Sequence, residues 1–326
     1  MGYHRLTLRN IYEAREAVAQ FAIRTPLIYS PCLSTGCGAE TFLKPENLQP
    51  TGSFKIRGAA NKLAHIPEEE RRRGLVTVSS GNHGRAVSFV AKRLGIPATV
   101  YLSENVPQNK VQAIRELGSR VVVRGSSYDA TERWSYEAER RLGLTRVHPF
   151  DDPLVIAGQG TIGIEIIEDL SEVDAVVVPL SGGGLASGVA LAVKSFDPAI
   201  RVIGVSMARG PVMYRSLQAG HPVEIEEEDT LADALAGGIG LDNQYTFGLV
   251  RELVDEVVLV SEEEIAQAMI LSLTMHGQVL EGGGAVGIAA LMHGRISGLG
   301  ARVVVITSGA NVDIAVLMTL LSHQTD

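Results

Sequence analysis

Cysteine is almost missing from this chain: Cys32 and Cys37 are the only two in 326 residues. One close pair cannot staple a chain of this length, and two thiols do not complete a four-ligand zinc set. Free thiols are therefore expected. Long apolar runs are also lacking, and nothing approaches the ~20 residues that cross a bilayer. The first residues, Met1-Gly2-Tyr3-His4-Arg5-Leu6, have no apolar signal core, and Leu6 stands where a myristoylation site wants Ser or Thr. Excess positive charge is absent too: 29 Lys and Arg against 37 Asp and Glu give a formal net charge of -8. No basic stripe is available for a phosphate backbone, which argues against nucleic acid as a partner. The default expectation is a cytoplasmic protein of small-molecule chemistry, with no membrane partner.

What the chain does have is apolar content, 45%, and glycine, 35 residues. That is enough to bury a core in two lobes. The recurring pattern is strand, glycine turn, helix. Residues 76–80 read as a strand that breaks at Gly81 and leads into a helix with Ala86, Val87, Val90, Ala91 and Leu94 at helical spacing. Runs at 98–102 and 121–123 follow. A second series begins at 175–179, turns at Gly182-Gly183-Gly184 and continues at 202–205, 257–260 and 302–306. The alternation predicts a parallel α/β protein with two sheets, and the lack of a low-complexity linker predicts lobes that share a cleft.

Five segments could carry chemistry. Lys55 lies in Gly52-Ser53-Phe54-Lys55-Ile56-Arg57-Gly58. A lone lysine is usually a solvated surface charge, but Gly52 and Gly58 permit close backbone approach and Phe54 is an aromatic neighbour. The segment is no P-loop, because Ile56 follows the lysine. Ser79-Ser80-Gly81-Asn82-His83-Gly84 closes a strand and opens a helix, so its amides form an anion site; a plain helix cap by Asn82 or Ser80 is the alternative. Ser181-Gly182-Gly183-Gly184-Leu185 reads as a phosphate loop. A dinucleotide fits it poorly, since Ser187 replaces the third glycine of the fingerprint and no acid follows Val205-Ser206. Thr307-Ser308-Gly309-Ala310-Asn311 puts Ser308 at a strand's carboxyl end, where open α/β sheets bind ligands, or alternatively at a helix cap. Glu281-Gly282-Gly283-Gly284 reads as a flexible turn whose acid faces either cleft or solvent.

Together these segments resemble the fold-type II pyridoxal phosphate enzymes, in the branch of threonine and serine dehydratases and serine racemases. The likeness rests on 53–58, 79–84, His148-Pro149-Phe150-Asp151-Asp152-Pro153, Ala157-Gly158-Gln159-Gly160-Thr161 and 308–311, which recur in the family's order and spacing. It implies a two-domain α/β architecture like the tryptophan synthase β-subunit. Residues 1–50 and 151–326 would form a large cofactor-binding domain and 51–150 a small domain for the substrate carboxylate. The cofactor implied is pyridoxal 5'-phosphate, bound as a Schiff base to Lys55, which also takes the α-proton. Phe54 would lie against the ring, Asn82 would bond the ring hydroxyl, and Gly182, Gly183 and Gly184, flanked by Ser181 and Leu185, would hold the phosphate. Ser308 would face the pyridine nitrogen. Ser79, Ser80, Gly81 and His83 would line the carboxylate loop, with Ser80 as acid/base opposite Lys55. The activity implied is an ammonia-lyase acting on a β-hydroxy amino acid such as threonine or serine, in a homodimer. Serine racemase and a cofactor-binding protein without turnover are the alternatives.

The pattern departs from the family in three places. Ser206 and Val212 stand where racemase-like members have acids that hold a divalent cation, so no metal is expected there. The family's Ala-Asp-Gly turn reads Ala232-Asp233-Ala234, followed by Leu235-Ala236-Gly237-Gly238, which alters the wall over the substrate side chain. Little chain follows Ser308, leaving no room for a regulatory domain. The runs 204–207 and 237–243 resemble a subgroup of hydroxyectoine-utilisation dehydratases, which implies a larger hydroxylated substrate.

Overall fold

A computed structural model describes residues 6–106, 108–126 and 128–322. Among them the strands are β1 (Ile28–Tyr29), β2 (Glu40–Pro45), β3 (Leu75–Val78), β4 (Ala98–Leu102), β5 (Arg120–Val123), β6 (Thr145–Arg146), β7 (Ala175–Pro179), β8 (Arg201–Met207), β9 (Glu256–Val260) and β10 (Arg302–Thr307). Six form one sheet in the order β1-β2-β10-β7-β8-β9, and four form a second in the order β5-β4-β3-β6. Every pairing is parallel except β1 with β2. β7 is buried at every residue, because helices cover both faces of the sheet, and its sequence is accordingly a continuous apolar run.

Most strand boundaries shift by a residue from the sequence reading, and two larger differences matter to the site. β3 stops at Val78, releasing Ser79 and Ser80 into the loop. β8 continues to Met207, so Ser206 lies inside the strand, opposite Leu259.

The helix Pro153–Asp169 sets the relation between the parts. Asp152 caps it, accepting from the Leu154 and Val155 amides at 2.8 and 3.2 Å, and Pro153 supplies the preset φ of the first turn. Its glycines let two neighbours in close. A Cβ on Gly158 would stand 2.5 Å from the Arg57 carbonyl oxygen, on the helix Lys55–Ala64. Gly188, on the helix Gly184–Phe196, abuts it elsewhere, where a Cβ would stand 2.4 Å from the Ile156 carbonyl oxygen. The helix that begins with Lys55 and the helix that begins at the glycine turn are thus docked on one support.

Behind Lys55 lies a buried ionic cluster. Arg57, 1% exposed, donates to both oxygens of Glu46 at 2.8 Å and to Glu165 at 2.6 and 2.9 Å. Lys44, fully buried on β2, adds a 2.7 Å pair with Glu165 and a 2.6 Å bond to the Thr25 carbonyl. Burial opposes the charge of Glu165, but Arg57 and Lys44 outweigh it and hold the carboxyl below its usual pKa. Cys32 and Cys37 are free thiols. Among the described residues no helix is long and apolar enough to cross a membrane.

Candidate active site

Lys55 is the first residue of its helix, with Phe54 as the N-cap. An ammonium at a helix N-terminus faces the positive end of the dipole. Its amine donates to the Pro149 carbonyl at 2.7 Å and lies 5.2 Å from the Phe54 ring centroid. Desolvation brings its pKa down to about 8, partly offset by the charge of Glu281. An amine so placed is far more available as a nucleophile or base than a surface lysine.

The segment after β6 joins Lys55 to the glycine turn. While Pro149 holds the amine, the Phe150 ring packs on the turn, where a Cβ on Gly182 would sit 2.4 Å from the ring. Gly183 is the N-cap of the helix Gly184–Phe196 at φ 86°, a left-handed conformation that only glycine adopts freely. The first amides of that helix have no intrahelical acceptor and point outward. Ser181 is committed elsewhere, donating to the Leu235 carbonyl at 2.7 Å, and Leu185 is buried in the core. His148 steers the segment: its Nδ1 accepts from the Asp151 amide at 2.7 Å, and burial lowers its pKa to about 4. Asp151 in turn accepts from the Gln244, Tyr245 and Thr246 amides. The sequence shows these residues without assigning them work, because nothing local marks a bridging loop.

Backbone bonds tie Lys55 to the turn after β10. The Phe54 amide donates to the Ser308 carbonyl at 3.1 Å, and Ser53 pairs with Gly309. Ser308 is not a helix cap, since the next helix begins only at Ile314. Its hydroxyl makes a long 3.4 Å contact to the Gly283 carbonyl, which leaves its donor open to a better partner.

Asn82 is no cap either. The N-cap of the helix Asn82–Leu94 is Gly81, without a side-chain bond. Asn82 reaches away from its helix to Glu281 and Asn311, both at 2.5 Å. Glu281 does not lie in a flexible turn: it is the buried N-cap of the helix Gly282–Met292, and the three glycines are its first turn. Burial raises its pKa to about 7.

His83 is buried, and its Nε2 must donate to the Val147 carbonyl at 3.0 Å because a carbonyl only accepts. Burial, reinforced by Lys55, lowers its pKa to about 3, so the ring is neutral. Ser79 accepts from the Gly81 amide at 3.2 Å, and Ser80 stands half-buried beside it. Among the described residues no group of three or more His, Cys, Asp or Glu is placed to hold a metal ion.

The chain is 45% identical to an L-threonine ammonia-lyase of Thermotoga maritima, over 97% of this chain and 78% of that one. Among solved structures, maize serine racemase superposes with a TM-score of 0.91 at 33% identity, over 99% of this chain and 98% of that one. The processed form of threonine deaminase isoform 2 from Solanum lycopersicum gives 0.91 at 35%, over 98% and 89%. The residues fit the cofactor of such enzymes: an amine lowered to about 8, outward amides at a helix start kept open by glycine, and a neutral hydroxyl whose one donor is engaged only in a long 3.4 Å contact. The family model "Pyridoxal-phosphate dependent enzyme" matches residues 18–309, and the chain belongs to that family.

Proposed function

We propose that this protein is an ammonia-lyase that eliminates water from a β-hydroxy amino acid, threonine or serine in the first place; the released enamine then takes one water back up, giving ammonia and the 2-oxo acid. The observation that carries the reading is the Lys55 amine, desolvated to a pKa of about 8 and joined through Pro149 and Phe150 to the glycine turn.

When bound, pyridoxal phosphate supplies an electron sink for the pair left on the substrate's α-carbon. The chain supplies the rest. Lys55 would hold the cofactor covalently and, as a free amine, would take the α-proton. Amides of Gly182, Gly183, Gly184 and Leu185, with Ser181 beside them, hold the phosphate at the positive end of their helix. Phe54 would lie against the ring, Asn82 would donate to the ring hydroxyl and Ser308 to the ring nitrogen. Ser79, Ser80, Gly81 and His83 receive the substrate carboxylate at the start of the helix Asn82–Leu94. Because His83 is neutral, the attraction for that carboxylate comes from amides and helix dipole. Ser80 moves a proton on the face away from Lys55.

The same proposal divides the chain into a cofactor-binding body, 1–50 and 151–326, and a carboxylate-binding body, 51–150. It also includes a homodimer: Tyr29, Leu48, Met275, Val279, Ile314 and Met318 are exposed apolar side chains. They flank a region stitched by Ser30 to His276 and Asn47 to Gln278. Such a gathering is the surface that a partner covers.

The wall at 232–238 bears on the substrate. The added methyl of Ala234 packs toward Gly283, where a Cβ would be 3.3 Å away, so this part of the wall is filled rather than emptied. The open positions are Gly237 and Gly238, and they favour the hydroxyectoine-derived compound as a second substrate. The test is release of ammonia and 2-oxo acid from L-threonine, L-serine and that compound, with D-serine formation followed in parallel. Threonine turnover is expected. Racemisation of serine without oxo acid would make the protein a racemase, and tight cofactor binding with no turnover of any would make it a binding protein.

Gly182→Ala separates the phosphate turn from the covalent link. The new methyl would overlap the Phe150 ring, and relief requires moving either the turn or the 148–151 segment. Cofactor affinity is expected to fall by at least about tenfold, roughly 1.4 kcal/mol, measured by equilibrium dialysis. Adding Phe150→Ala should recover part of the loss. Unchanged affinity in the single variant would take Gly182 out of the phosphate site.

A further inference from the structure

The amide of Asn82 is held from both ends, and its orientation follows from one group that can only accept. The Thr51 carbonyl lies 2.9 Å from the side chain of Asn311, so the atom facing it is Nδ2. That nitrogen also lies 2.5 Å from Asn82, which must present its oxygen there. The Asn82 nitrogen is thereby turned to Glu281, whose Oε1 is 2.5 Å away. The carboxyl is itself fixed, because the Asn311 backbone N–H also donates to it and the Glu281 amide donates to the Gly309 carbonyl at 3.0 Å. A Cβ on Gly309 would stand 2.2 Å from Oε1, so a glycine is required for the carboxyl to lie where it does.

A carboxamide nitrogen carries two hydrogens, and Glu281 takes one. We propose that Glu281 is a positioning residue for the cofactor's ring hydroxyl: with Asn311 it fixes the flip of the Asn82 amide and leaves a single N–H for that hydroxyl. The inference rests on the role given to Asn82 above. It also links the two sheets at the cofactor, since Asn82 opens the helix that follows β3, whereas Glu281 and Asn311 belong to the six-stranded sheet's side. Burial raises Glu281 to about 7, the Asn82 bond opposes this and Asp233 adds to it, with a smaller lowering from Lys110; Lys55 is the other charge in the site. Near neutrality the group is thus shared between acid and carboxylate, and Oε1 accepts in either form.

The test compares Glu281→Ala, Glu281→Gln and Asn311→Ala as holoenzymes, by visible spectrum, cofactor dissociation constant and the split between kcat and KM for L-threonine. Glu281→Ala is expected to keep borohydride-reducible attachment at Lys55, to shift the visible band, to weaken cofactor binding by about tenfold and to lower kcat with KM nearly unchanged. Glutamine still offers an acceptor oxygen, so Glu281→Gln should restore the band and most of the affinity. Asn311→Ala should reproduce the band shift, and it carries the test if Glu281→Ala does not fold. An unshifted band with parental affinity in Glu281→Ala or Asn311→Ala overturns the proposal, as does an equal loss in the glutamine and alanine variants. Absence of any reducible link in the parent protein would instead overturn the assignment of Lys55, which these variants do not touch.

Discussion

Lys55→Ala is expected to purify as a folded protein without the visible absorption band of the bound cofactor and without measurable lyase activity. Two losses combine. The covalent link disappears, and so does the base beside the α-carbon, a contribution of roughly 10²–10⁴ in rate for a positioned proton-transfer group. No compensation is available from Lys44, which is fully buried and bound to Glu165 and the Thr25 carbonyl, or from Lys62, which is paired with Asp152 at 2.6 Å. The fold should persist, because the Lys55 amine makes one hydrogen bond, to Pro149, and desolvation already works against its charge. The measurements are absorbance before and after borohydride, mass of the reduced protein, and 2-oxo acid release. A reducible chromophore surviving in the variant would move the attachment to another lysine.

What the sequence makes legible is what local pattern encodes. β7 and β10 stand out as apolar runs because parallel strands are buried on both faces, and the glycine turn stands out because Gly183 needs a left-handed φ. β2 is hidden by its own composition. It carries Lys44, which looks like a surface residue until Glu165, distant in sequence, arrives to neutralise it. The Gly282-Gly283-Gly284 run misleads for a related reason. Glycine propensity favours a loop, but here the helix needs glycine for room: a Cβ on Gly282 would be 2.1 Å from the Leu231 carbonyl oxygen, and one on Gly284 would be 2.5 Å from that of Gly309. Glu281, Asn311 and the 148–150 segment are visible in the sequence, but their roles are not, since each acquires its role from a contact nearly a hundred residues away or farther.

Arg57→Met is expected to be the most destabilising single substitution in the buried ionic cluster, by about 3–5 kcal/mol in urea unfolding. The volume is nearly kept, so the cost is electrostatic: two buried carboxylates lose a guanidinium that binds each of them twice. The two acids are not left equal. Glu165 retains a direct pair with Lys44 at 2.7 Å, while the hydrogen bonds left to Glu46 come from the Thr25 hydroxyl at 2.7 Å and the Gln49 amide at 3.0 Å, neither of them charged, and Lys44 reaches it only through a longer-range attraction that is smaller than its interaction with Glu165. Adding Glu46→Gln to Arg57→Met should therefore recover more stability than adding Glu165→Gln, because the second change also takes from Lys44 its directly paired carboxylate. Desolvation already holds Lys44 below its usual pKa, and that loss would deepen the shift. The coupling is read from the double-mutant cycles, with positive recovery for the first pair and little or none for the second. If the two glutamine changes recover alike, or if Arg57→Met unfolds at the parental urea concentration, the cluster is not stabilising the chain by charge, and the docking of the Lys55 helix rests on its glycine contacts with the helix Pro153–Asp169 instead.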